Sequence, residues 1–229
     1  MSRPVHICAL AFAAVAVLAL TPAAASACGD TETTKARKTV NPKGHAPLAI
    51  GDSTMLLALP ALSRIGYQVN ARGCRMIDEG LDVIRAYKRQ RRLPHLVVIA
   101  LGADATLSSA QMEIAFKLVG PKRVLGLVTP IELGGGTSSD ADVVRAAVKR
   151  HPRRAVLLDW VAFSKGHPDW FQPDALHLTF PGADAFARLF RQALPYARAG
   201  EHPGKPEKPT GRAGLADNKP APVQEPPSR

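Results

Sequence analysis

The chain has 229 residues, a formal net charge of +11 and only 5% aromatic residues. So large a positive excess invites a nucleic-acid reading, but no recognised module is present and aromatics are not interleaved with the basic residues, which argues against it. The long apolar run at residues 7–20 is too short to cross a bilayer comfortably, so no transmembrane span is expected in the mature chain.

Residues 1–27 open with a basic residue, continue apolar and close on small side chains, with Ala25-Ser26-Ala27 as an A-x-A-like cleavage site. That is the plan of a secretory signal, and the mature protein is expected to be secreted or periplasmic. Cys28 follows directly and offers a place for a lipid. Ala25, however, stands where lipoprotein signals usually have leucine, so plain export is the expectation. Export leaves Cys28 and Cys74, read as a mobile thiol and a partly buried one and not as a pair. Residues 28–44 are a polar lead-in and 45–198 one domain of ordinary size. Residues 199–229 form a tail of proline, lysine, glutamate and glycine with too little apolar surface to offset the entropy of ordering.

Within the domain, residues 46–51 (APLAIG) read as a buried strand. Residues 53–65 read as a helix that kinks or restarts at Pro60, because proline inside a helix costs about 3 kcal/mol. Strands follow at 66–71, 95–101, 122–129 and 155–158, and helices at 76–92, 108–119, 140–150 and 179–196. Continuous apolar strands alternating with helices predict an α/β three-layer sandwich around a five-stranded parallel sheet. Chemistry in such a fold belongs beyond the carboxyl ends of the strands.

Beyond the first strand stands Gly51-Asp52-Ser53. There the hydroxyl of Ser53 can face the crevice, and its N–H joins the free donors of a helix start, which favour developing negative charge. Taken alone, Ser53 reads equally well as an N-cap. Near the end, Asp174 and His177 share one turn of a loop. A serine hydroxyl needs a base, and the base needs a carboxylate to fix its tautomer. Taken alone, this pair too reads as a polar loop capping the next helix. The order Ser, Asp, His has no competitor in the sequence, and the G-x-S-x-G elbow is absent, which counts against an α/β-hydrolase.

These blocks resemble those of the SGNH hydrolases, and in finer pattern the SGNH domain of peptidoglycan O-acetyltransferases. The stretches that carry the likeness are GDSTMLLALPAL, VVIALGADA, VLLDW and WFQPDALHLTFPGADAFARLF. The resemblance implies Ser53 as nucleophile, His177 as base and acid, Asp174 as orienting carboxylate, and an oxyanion hole from the N–H groups of Ser53 and Gly73. One departure is serious: Gly102-Ala103-Asp104 lies where the family usually has Gly-x-Asn. An ionised Asp104 repels an oxyanion, and losing one donor typically costs about 2.7–4 kcal/mol. A protonated Asp104 donates instead, or the N–H of Gly102 or Ala103 serves; the sequence leaves these open.

The resemblance implies an extracytoplasmic serine esterase or acyltransferase acting on O-acyl, chiefly O-acetyl, groups of envelope carbohydrate, without cofactor or metal. The related acetyltransferases carry a multi-span membrane portion. This chain shows none, which favours an esterase or a transfer system with a separate membrane acyl donor; a monomer is expected. The alternatives are an inactive glycan-binding domain, motivated by Asp104, and a lipolytic esterase. Elsewhere, Trp160 and Trp170 read as core residues or sugar platforms, Arg72 and Arg75 as solvated or substrate-facing, and Asp140 as a helix cap. His45, His151 and His167 show no metal-ligand spacing. The basic clusters at residues 85–92 and 149–154 read as solvated helix ends.

Overall fold

The computed structural model describes residues 28–204; the expected signal and most of the expected tail lie outside the described residues. Six strands make one sheet in the order β1-β3-β2-β4-β5-β6: β1 (Glu32–Thr34), β2 (Leu48–Gly51), β3 (Gln68–Ala71), β4 (Leu96–Ala100), β5 (Val124–Val128) and β6 (Ala155–Leu158). All neighbouring pairs are parallel except β1 with β3. The α/β class and the parallel sheet are as expected. The extra antiparallel edge is not, because β1 falls in the segment read as a polar lead-in.

Alternate strand residues feed two cores. Ala49, Leu96, Val98 and Val128 face α1 (Leu59–Ile65) and α6 (Phe180–Phe190). Leu48, Ile50, Val97, Ile99 and Leu127 face α2 (Ile77–Arg89), α3 (Ser109–Val119) and α4 (Ser139–Arg150). This two-sided burial is what the uninterrupted apolar runs require. A short helix, α5 (Trp160–Phe163), and a 3-10 turn at Pro168–Trp170 follow β6, and the sequence reading passed over both. Pro60 sits in the first turn of α1, where a missing N–H costs nothing, so residues 53–65 divide into a 3-10 turn, Ser53–Ala58, and a true helix.

The chain runs from β2 outward to β3 on one side and returns to β4 on the other. Such a reversal leaves a crevice beyond the carboxyl end of the central strand. Ser53 begins immediately after β2, at that point.

Candidate active site

Local chemistry fixes Ser53 first. Oδ1 of Asp52 accepts the Thr54 N–H at 3.0 Å and the Thr54 hydroxyl at 2.6 Å, while Oδ2 accepts the Ala103 N–H at 3.4 Å. Asp52, not Ser53, is therefore the N-cap, and the Ser53 hydroxyl is left for another partner. That partner is His177, whose Nε2 lies 3.0 Å from Ser53 Oγ across 124 residues of sequence. On its other side, Nδ1 lies 2.7 Å from Asp174 Oδ2. With the ring proton on Nδ1 donated to that carboxylate, Nε2 accepts the serine hydroxyl.

Asp174 is held as firmly as it holds. Its Oδ1 accepts the N–H groups of Leu176 and His177, both at 3.0 Å. Burial alone would push its carboxyl up; the His177 ring and these two amides outweigh that and keep it below the ordinary carboxylate value. The loop closes through Ala175 in the left-handed region, φ 57°. It is pinned by the Gln172 N–H donating to the His177 carbonyl at 2.7 Å, and by an antiparallel bridge between Phe171 and Leu178. Sequence, local turn and hydrogen bonding thus converge on one imidazole orientation.

Ser53, Gly73 and His177 line a common cleft of about 550 Å³, together with Asp30, Glu32 and Gln172. No protein acceptor engages the Gly73 N–H among the described residues. The neighbour of Gly73 corrects an expectation: Cys74 is bonded to Cys28, with S–S 2.05 Å. A sulfur so bonded cannot also carry a lipid thioether, so Cys28 is no anchor in this state. The edge strand explains the pairing, since the antiparallel register of Glu32 with Ala71 returns the segment before β1 to the loop after β3.

Other expectations change as well. Arg75 is 3% exposed and donates to the carbonyls of Gly51 at 3.1 Å and Asn70 at 2.7 Å, so it braces the loop and faces no substrate. Arg72 pairs with Glu79. Trp160 and Trp170 are buried and stacked on each other, which leaves no sugar platform. Asp140 lies inside α4 and accepts the Leu107 N–H at 2.9 Å, so it ties a loop down instead of capping the helix.

Gly102 and Asp104 are not among the residues lining the cleft. Gly102 has φ +123°, and a side chain there would meet Pro130 at 2.9 Å and Leu107 at 3.0 Å, so glycine is required for the turn. The Ala103 N–H is taken by Asp52. Oδ2 of Asp104 is buried and has no hydrogen-bond partner. Burial first, with the Asp104 charge in addition, pushes the Asp52 carboxyl up to about 6 despite its hydrogen bonds. Sequence reasoning missed Asp52, although Asp-Ser-Thr opening a helix is an N-cap signature. It also missed Asp30, Glu32 and Gln172, for which no local signal existed. Among the described residues no His, Cys, Asp and Glu side chains group to hold a metal ion.

The α/β fold, with Ser53 at its switch point, is shared with solved proteins of the SGNH type. No protein-family model matches the chain. The chain is similar to the peptidoglycan O-acetyltransferase OatA of Listeria monocytogenes, 23% identical over 149 residues that make up 64% of this chain and 24% of that protein. Its fold matches the C-terminal catalytic domain of Streptococcus pneumoniae peptidoglycan O-acetyltransferase A, with TM-score 0.57, 24% identity, and coverage of 66% of this chain and 93% of that one. It also matches a Slackia heliotrinireducens protein assigned to the SGNH hydrolases, with TM-score 0.50, 17% identity, and coverage of 65% and 98%. The chain spans about a quarter of the length of the curated relatives it matches.

Proposed function

We propose that the chain is an extracytoplasmic acyl-serine enzyme that removes or transfers O-acetyl groups of envelope carbohydrate. The observation that carries this reading is the unbroken contact from Asp174 through His177 to Ser53, at 2.7 Å and 3.0 Å. His177 Nε2 takes the Ser53 proton as Oγ bonds to the ester carbonyl carbon. The carbonyl oxygen gathers negative charge against the N–H groups of Ser53 and Gly73, and the collapsing intermediate expels the alcohol, which leaves with the proton from His177. Water completes hydrolysis of the acyl-serine; a sugar hydroxyl completes transfer. The likeness to O-acetyltransferases supports acetyl as the acyl group, and the disulfide together with the leader-like residues 1–27 supports export.

The test compares acetate release from p-nitrophenyl acetate and from longer esters by the protein and by Ser53→Ala. Release that vanishes in Ser53→Ala and declines with chain length is the expected result. Equal rates from both proteins, with no labelling by a serine-reactive phosphonate, would overturn the enzymatic reading. A second reading, a glycan-binding domain without turnover, is favoured by Asp104: it replaces the expected amide donor, and its Oδ2 is buried without a partner outside the Ser53 cleft. Asp104→Asn separates the two, since a gain in acetate release marks a handicapped enzyme.

A further inference from the structure

At the end of the sheet opposite Ser53 lies a second, larger cavity of about 750 Å³. It is built where the chain enters the parallel strands: residues 41–45 precede β2, residues 93–95 precede β4, Lys122 and Arg123 precede β5, and residues 198–201 return after the last 3-10 turn. Its volume is that of a ligand site and not of a packing defect.

Its charge is what sets it apart. Lys43, the adjacent Lys122 and Arg123, and Arg198 converge on it from three segments, with one carboxylate, Glu201, among the lining side chains. Outside the cavity Arg64, Arg72, Arg85, Arg145 and Arg150 find carboxylates within 4 Å, and the other described lysines and arginines do not. None of the four cavity cations does so among the described residues. Among the described lining residues Glu201 alone opposes their charge, and a concave wall concentrates their field. Burial first, then the neighbouring His202 and Arg123, hold the His95 imidazole below the ordinary value, although its ring nitrogen contacts the Glu201 carbonyl at 3.0 Å.

We infer that this cavity is a binding site for a multiply charged phosphoryl ligand, separate from the ester-cleaving cleft. Two lysine ammonium groups act as compact point charges and two guanidinium forks supply paired donors. Together they match tetrahedral oxyanions bearing charge on several oxygens better than a single planar carboxylate. The buried Leu93 gives an apolar wall for the organic body of such a ligand.

Isothermal titration calorimetry with inorganic tripolyphosphate at fixed ionic strength tests this, with citrate as the carboxylate comparison. Tripolyphosphate should bind the wild type and Ser53→Ala equally. Affinity should fall about tenfold or more in Lys122→Glu/Arg123→Glu and likewise in Lys43→Glu/Arg198→Glu. The second pair guards against misfolding, since Arg123 also donates to the Val119 carbonyl. Lys117→Glu/Lys149→Glu, which makes the same change in net charge on exposed helical positions, should bind as the wild type does. Equal weakening in that control, citrate binding as tightly as tripolyphosphate, or no heat of binding at all would each overturn the inference.

Discussion

Gly182→Ala tests how the last helix sets the catalytic geometry. Gly182 lies in the first turn of α6, and an added Cβ would stand 2.0 Å from the Trp170 carbonyl oxygen, 2.8 Å from its carbonyl carbon and 3.1 Å from its Cα. All three are backbone atoms, so no side chain can rotate out of the way. Restoring an allowed contact requires α6 and the Trp170 segment to part by about 1 Å. That segment is fastened to the catalytic loop: the Thr179 N–H donates to the Trp170 carbonyl at 2.9 Å, and the Gln172 N–H to the His177 carbonyl at 2.7 Å. The displacement is therefore passed to His177, whose 3.0 Å contact with Ser53 has no slack. A misplacement of about 1 Å costs on the order of 100-fold in rate, and overpacking costs about 1–3 kcal/mol of stability. The paired measurement is kcat/KM for p-nitrophenyl acetate beside urea unfolding of the same variant. Wild-type activity together with a wild-type urea midpoint would refute the reasoning.

Asp174→Asn should lower kcat by about 10³–10⁴-fold with little change in urea midpoint, because it frees the imidazole to adopt the wrong tautomer at a half-exposed position. Removing the disulfide by Cys28→Ser/Cys74→Ser should cost about 4 kcal/mol in unfolding free energy, from the 46-residue separation it closes; a loss below about 1 kcal/mol would contradict that loop-entropy figure. Asp52 predicts a pH effect. Its folded value, about 6, lies above the ordinary 3.8, so the stability it contributes is complete below 3.8 and is lost as pH rises through 6. The difference in unfolding free energy between wild type and Asp52→Asn should therefore change by about 2 kcal/mol between pH 4 and pH 6, with the variant gaining towards pH 6. A difference that stays flat across that window would count against the burial argument.

The parallel sheet was legible because a strand covered on both faces must be apolar throughout, and Leu96–Ala100 and Val124–Val128 are. The grouping of Ser53, Asp174 and His177 was legible because the blocks that hold them, GDS after the first core strand and D-x-x-H before the last helix, survive as linear patterns. The strand Glu32–Thr34 was not, since an exposed edge needs no hydrophobic period and those residues are polar. The cysteine pairing was missed for a related reason: Cα atoms 4.9 Å apart are a product of that edge strand and leave no trace in spacing. Arg75 looked solvated because nothing in its neighbourhood announces that it will lie under the Gly73 loop. The basic cavity is assembled from four separate segments, so its residues never stand together in the chain.

The carboxylate and the imidazole are contributed by a single late loop, whereas the hydroxyl is contributed by the 3-10 turn after β2, near the front of the domain. During synthesis the serine emerges long before its activating partners. Until the loop that carries Asp174 and His177 lies against the turn after β2, the Ser53 hydroxyl has no imidazole beside it, so under the proposed function its reactivity waits on the back of the domain.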